Sequence, residues 1–187
     1  MQMPGFTIHI AIGKEYIKKH KGHIQNESEF IKGTIAPDLD ENKIDLAKDK
    51  SKTHYGKWGN YQVKTNIKSF LQDAKVTIDT DYWKGYLLHL LVDHYFYNIS
   101  FKQELEAIIQ NKDKFYDDYD CLNFELITRF QIEILENVKK YMKIDKNKKE
   151  PKYLKKDKVI QFIEEMSNIN LEKQMEIIQK EGMEGLK

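Results

Sequence analysis

At 187 residues with 40% hydrophobic side chains, the chain is long enough to bury the core of one domain and too short for two of ordinary size. Its 31 basic and 30 acidic residues leave a net charge of +1, so no overall field selects a nucleic acid or an acidic partner. A single cysteine, Cys121, excludes an internal disulfide and points to a reducing compartment, and no run approaches the roughly 18 apolar residues of a membrane span.

Helical periodicity dominates and strand alternation is scarce, so the expectation is one all-α domain, a helical bundle over 1–187. The start, "MQMPGFTIHIAIGKEY", lacks a basic n-region and its apolar run is interrupted by His9, which makes a poor secretory signal. The expected location is cytoplasmic. A first helix is expected over about 7–20, ending near Gly22. The capping residues Asn26 and Ser28 start a second, which runs through Phe30 and Ile31 to about Gly33. The segment 34–60, "TIAPDLDENKIDLAKDKSKTHYGKWGN", reads as one long loop punctuated by Pro37, Gly56 and Gly59. Loops of that length in compact domains are usually functional or disordered.

A third helix is expected over about 61–75. Asp79 or Thr80 caps the next, which carries "GYLLHLLVDHYFY" at 85–97, with Asp81 favoured in its first turn by the helix dipole. Beyond Ser100 come a helix to about 112 and a long one over about 119–142. "DKVIQFIEEM" sets Val159, Ile160, Phe162, Ile163 and Met166 on one face, and "NLEKQMEIIQKE" repeats the pattern with Leu171, Met175 and Ile178. The half 101–187 therefore reads as packing helices, and 1–100 as the half with chemistry. Between 139 and 158 ten lysines stand against three acids. They form either a patch that attracts phosphate or lipid headgroups or a solvated linker around Pro151.

The stretch 85–97 is among the most apolar in the chain, yet it carries His89 and Asp93, and a buried unpaired carboxylate is costly. At about 100° per residue the two lie roughly 40° apart on a helix, with Gly85 about 40° to the other side. Tyr82, Tyr86 and Phe96 share that face, whereas His94 lies about 140° round from His89. Gly85 leaves room there for another backbone or a ligand. The pair alone is open to two readings, a metal-ligand pair or a histidine satisfied by an aspartate one turn away. Three residues add to it: Asp38 after Pro37 in "GTIAPDLD", His54 in "KTHYG", and His9 in the apolar "FTIHIAIG". Together they make a mixed nitrogen and oxygen set suited to zinc, manganese or iron. His20 and His23, in "HKGH", are either a second metal pair or the polar end of the first helix.

Taken in order, "GTIAPDLD", "THYG" and "GYLLHLLVDHYFY" resemble the bacterial zinc-dependent phospholipase C family, whose metal sites are related to those of single-strand-specific P1-type nucleases. The shared signature, G-x-x-x-P-D, then H, then G-x-x-x-H-x-x-x-D, lies within about 6–97, half the chain. The resemblance implies an all-α fold with zinc held between helices. It implies that Asp38, His54, His89 and Asp93 hold one metal, and that Asp93 bridges to a second, which His9 helps to bind. The aspartate at Asp38 is also the family's candidate general base. The implied reaction is phosphoester hydrolysis by metal-activated water, on a phospholipid, phosphomonoester, phosphodiester or nucleotide.

Two departures bear on the number of metals. The secreted phospholipases use their mature N-terminal amine as a ligand, whereas here Met1 lies eight residues before His9 and no cleavage is expected. Their third metal is held by imidazoles beyond the His-x-x-x-Asp helix, and no histidine follows His94. The acids of "YDDYD", 117–120, are the nearest replacement, unless they merely open a helix. One metal, or two with a weak second position, is therefore the expectation. An HD-type phosphohydrolase is disfavoured, since the only adjacent pair is the reversed Asp93–His94. The alternatives are a non-catalytic metal-binding or interaction protein on the same fold, or a bundle whose histidines and aspartates satisfy one another.

Overall fold

The computed structural model describes residues 5–40, 45–46, 50–59, 62–73, 75–108, 113–144, 146 and 150–187. The first helix, α1 (Phe6–Lys19), is buried continuously from Phe6 to Gly13, Thr7 and His9 included. α2 (Glu27–Gly33) starts where its capping residue directs, the Asn26 side chain accepting the Glu29 N–H at 3.1 Å.

The segment expected to be a loop is in good part structured. A 3₁₀ turn, Ala36–Asp38, leads into β1 (Leu39–Asp40), which pairs antiparallel with β2 (Asp45–Leu46). A short helix, α3 (Lys50–Thr53), then precedes β3 (Lys57–Gly59), whose partner is β4 (Gln62–Lys64). The helix expected over about 61–75 is accordingly shortened to α4 (Ile67–Gln72). Gln62–Lys64 is committed to the hairpin, and Asn66, at φ −118° and ψ 82°, accepts the Ser69 N–H and fixes the helix start beside it.

α5 (Asp81–Tyr95) carries the apolar stretch and is buried from Gly85 to Asp93. Thr80 is its N-cap residue, but its hydroxyl donates back to the Thr77 carbonyl and gives no cap bond. Asp81 instead accepts the backbone N–H groups of Gln25 and Asn26 at 2.8 and 2.6 Å, tying the start of α5 to the start of α2. A π turn, Phe96–Ser100, extends α5 toward α6 (Lys102–Ile108). The long helix expected over about 119–142 is α7 (Asp113–Phe130), and it stops early. Gln131 takes φ 51°, a left-handed value that ends a helix, and only the short α8 (Glu136–Lys139) follows.

α9 (Lys156–Met166) buries Val159, Ile160, Phe162, Ile163 and Met166, the face read from its periodicity. In α10 (Leu171–Glu181) Leu171 and Ile178 are buried. α1 packs between α7, α9 and α5, and the Thr7 hydroxyl donates to Asn123 of α7 at 2.8 Å. Phe96 and Phe101 stack at 4.3 Å, and Phe162 meets both rings edge-on. The chain is thus one all-α domain whose only strands, among the described residues, are the two short hairpins. No helix among those residues is long and apolar enough to cross a membrane.

Among the described residues, the acids of 117–120 do not form a further ligand set. Asp118 accepts three consecutive backbone N–H groups, from Lys152, Tyr153 and Leu154, at 2.5 to 2.8 Å. Residues 152–154 of the lysine-rich 139–158 segment are thereby held against α7. Lys148 and Lys149 of that segment lie outside the described residues.

Candidate metal centre

The crossing of α2 over α5 sets the geometry of the centre. Gly33 and Gly85 face each other there: a Cβ on Gly85 would stand 2.1 Å from the Phe30 carbonyl oxygen, and one on Gly33 2.1 Å from that of Tyr82. Gly85 therefore makes room for a backbone and not for a ligand. This close approach brings the Thr34 carbonyl within 2.8 Å of His89 Nδ1. On the other side, the Tyr86 hydroxyl donates to the Thr53 carbonyl at 2.5 Å and holds the end of α3, from which His54 follows.

Five residues expected from the sequence meet between α1, α5, α3 and the 3₁₀ turn. His9, Asp38, His54, His89 and Asp93 are each no more than 3% exposed. His54 Nε2 lies 3.1 Å from Asp93 Oδ2 and 3.2 Å from His89 Nε2, and the third edge, His89 Nε2 to Asp93 Oδ2, is 3.4 Å. Asp38 Oδ1 is 3.7 Å from His54 Nε2, and His9 Nε2 is 3.5 Å from Asp93 Oδ1. The two Asp93 oxygens thus face different partners: Oδ2 toward His54 and His89, Oδ1 toward His9. His9 also stacks on His89, ring centres 3.9 Å apart.

The protons explain why this cluster is incomplete by itself. A carbonyl oxygen can only accept, so His89 Nδ1 carries the hydrogen given to Thr34. His54 Nδ1 lies 3.1 Å from the Lys50 carbonyl and 3.0 Å from the Thr53 hydroxyl, and a hydrogen directed at that carbonyl leaves its Nε2 bare in the neutral ring. In the neutral rings both Nε2 atoms then present lone pairs, pointing at each other and at a carboxylate. Neither Asp93 oxygen, and neither His9 nitrogen, has a hydrogen bond. Such contacts at 3.1 to 3.4 Å need a positive charge among them, either a proton or a cation.

The pKa values follow from the same arrangement. Burial lowers His9 to about 4, helped by His89, so His9 is neutral at physiological pH. Burial also acts to lower His89, but Asp93 outweighs it and raises this histidine above its usual value. Burial acts to raise both aspartates. His89, His54 and His9 nevertheless hold Asp93 well below the usual carboxylate range, and Lys50, His89 and His54 hold Asp38 below it. The pocket thus carries its negative charge on Asp38 and Asp93, with Lys50 beside the first and His89 beside the second.

The spacing fits a metal. Donor atoms about 2.1 Å from a tetrahedral ion stand about 3.4 Å apart. The edges of the His54–His89–Asp93 triangle are 3.1, 3.2 and 3.4 Å. Among the described residues, two groups have ligand atoms close enough to hold an ion: His54, His89 and Asp93, and His9, Asp38 and His89.

Other residues fall outside the cluster. His94 is half-buried on another side of α5, beside Asn98, and burial lowers its pKa. His20 stacks on Tyr16 and places Nε2 3.2 Å from the Ser167 carbonyl, while His23 sits edge-on to it at 6.1 Å; they form the polar end of α1. Met1 lies outside the described residues. One residue was missed: Lys50, only 5% exposed, whose Nζ meets Asp38 Oδ1 at 2.5 Å. Its sole signal in the sequence is its place one helical turn before His54. No known protein family matches the chain, and neither the curated proteins nor the solved structures include a match.

Proposed function

We propose that the chain is a metal-dependent hydrolase of phosphoesters, an all-helical protein of the zinc phospholipase C and P1 nuclease type that its motifs resemble. The observation that carries this reading is the His54–His89–Asp93 triangle, whose two Nε2 atoms and Oδ2 lie 3.1 to 3.4 Å apart, with a carboxylate that has no hydrogen bond. Zinc is the cation assigned, although the same donors accept manganese or iron. His54 Nε2, His89 Nε2 and Asp93 Oδ2 would hold it, with Asp38 as a further ligand. His9 stands at the other Asp93 oxygen, where a second ion would share the carboxylate. When bound, such a cation acidifies water and draws charge from phosphoryl oxygens.

The chain's own groups do the rest. The carbonyls of Thr34 and Lys50 keep both imidazoles in one tautomer and one orientation. The surrounding helices exclude bulk water, which strengthens every charge in the pocket. Asp38 is ionised at neutral pH and weakened as a base by Lys50, and it would serve as proton acceptor where a bound cation supplied more acidic water. The substrate is a small phosphorylated molecule or a lipid headgroup. In a cytoplasmic setting, a soluble monoester, diester or nucleotide is more accessible than an external phospholipid.

One observation favours a second reading. None of the clustered side chains, Lys50 included, exceeds 5% exposure, and a closed shell is the mark of a structural rather than a catalytic metal. On that reading the chain binds metal without turning over a substrate. Untagged protein purified without chelator is expected to carry about one zinc per chain by elemental analysis. It is also expected to hydrolyse at least one of an aryl phosphate, an aryl phosphodiester, a nucleotide and a short-chain phosphatidylcholine. Less than about a tenth of a metal per chain would sink both readings, given how tightly such sets bind. Fully loaded protein with no turnover selects the non-catalytic one.

A further inference from the structure

We propose that the centre holds a single divalent cation and that Lys50 supplies the positive charge a second ion would bring. This rests on the metal-binding part of the reading above and is independent of the reaction. Both candidate groups draw on His89. Its Nδ1 is taken by the Thr34 carbonyl, which leaves Nε2 alone to face an ion, and one nitrogen lone pair binds one ion. An ion seated on His54, His89 and Asp93 therefore removes His89 from the second group. Among the described residues, a second ion would have to rely on His9, the outer oxygen of Asp93, and Asp38.

Asp38 is where Lys50 intervenes. The ammonium meets Oδ1 at 2.5 Å, and both side chains are 5% exposed, so this is a buried ion pair and not a surface contact that solvent would loosen. Counting the buried charges of the cluster among the described residues, two carboxylates and one ammonium give −1. One divalent cation brings the cluster to +1, and two would bring it to +3. With solvent excluded, no further buried carboxylate of the cluster among the described residues balances the larger excess. The remaining +1 suits an anionic ligand, which accords with a phosphorylated substrate.

The test is a metal count on the full chain. Wild-type protein, Lys50→Met and Lys50→Arg are stripped of metal, titrated with zinc chloride, and examined by native mass spectrometry. We expect wild type and Lys50→Arg to saturate at one zinc. Lys50→Met, with Asp38 released to join His9, should take a second, and adding Asp38→Asn to it should bring the count back to one, held more weakly than in the wild type. Two tight ions in the wild type would overturn the proposal, as would a folded Lys50→Met that stays at one. A wild type that takes none overturns the metal reading itself, which is a distinct result. If Lys50→Met does not fold, Lys50→Gln replaces it; if neither folds, the wild-type count decides.

Discussion

α5 and α9 are both helices of the interior, and they treat polar residues in opposite ways. α9 buries Val159, Ile160, Phe162, Ile163 and Met166 on one face and turns Gln161, Glu164 and Glu165 to solvent. In α5 the residues from Gly85 to Asp93 are buried without interruption, and His89 and Asp93 lie at 0% exposure among leucines. Water satisfies the polar groups of the first helix. Those of the second are closed off from water and must be satisfied by something the fold supplies or binds. Amphipathicity thus marks a packing helix, and an uninterrupted apolar helix with two polar residues one turn apart marks a site.

Phe162→Ala should break the α9 side of this contrast most strongly. It empties a ring packed edge-on against Phe96 and Phe101, and is expected to cost about 3–5 kcal/mol in chemical denaturation. The zinc bound per folded chain should stay the same, since no ligand is carried on α9. A loss of metal in the folded variant would mean that the two halves are not separate in function.

On the α5 side, Gly85→Ala places a methyl 2.1 Å from the Phe30 carbonyl and forces α2 away. A loss of about 1–3 kcal/mol is expected, as for other overpacked interiors. Unlike the α9 variant, it should also weaken zinc binding, because the Thr34 carbonyl that orients His89 moves with α2. An unchanged dissociation constant by competition with a zinc-binding dye would separate the crossing from the site.

Taken per pH unit, acid should give the smallest of the three effects. His89 has a raised pKa in the metal-free protein, so it carries a proton below that value, and an incoming ion must displace it. Zinc affinity should therefore fall as pH drops through the His89 pKa, by roughly tenfold per pH unit for one displaced proton, about 1.4 kcal/mol. His9, lowered to about 4, should add nothing above pH 5. A flat affinity between pH 8 and 5 would show that His89 is not a ligand.

Much of the site was legible because its residues contrast with their surroundings. His89 and Asp93 are conspicuous in an apolar helix, and Asp38 and His54 complete a motif order. Lys50 offers no such contrast. It is one of 31 basic residues, and its burial arises only when α3 folds against the 3₁₀ turn. The same holds for Asp118, an acid in an acidic run until three backbone amides close on it. The tautomers of His54 and His89 are set by carbonyls, which carry no letter in a sequence. Helix boundaries went astray where local geometry won: at Asn66, whose cap overrode a longer helical pattern, and at Gln131, whose left-handed backbone cut α7 short.

The facing glycines have a consequence for how this chain can vary by descent. A methyl on either one meets the backbone of the opposite helix, so neither position accepts a side chain until the two helices separate. Separation carries the Thr34 carbonyl away from His89. Gly33 and Gly85 thus behave as one heritable unit with the histidine, and part of the site is encoded by two residues that contribute no atom to it.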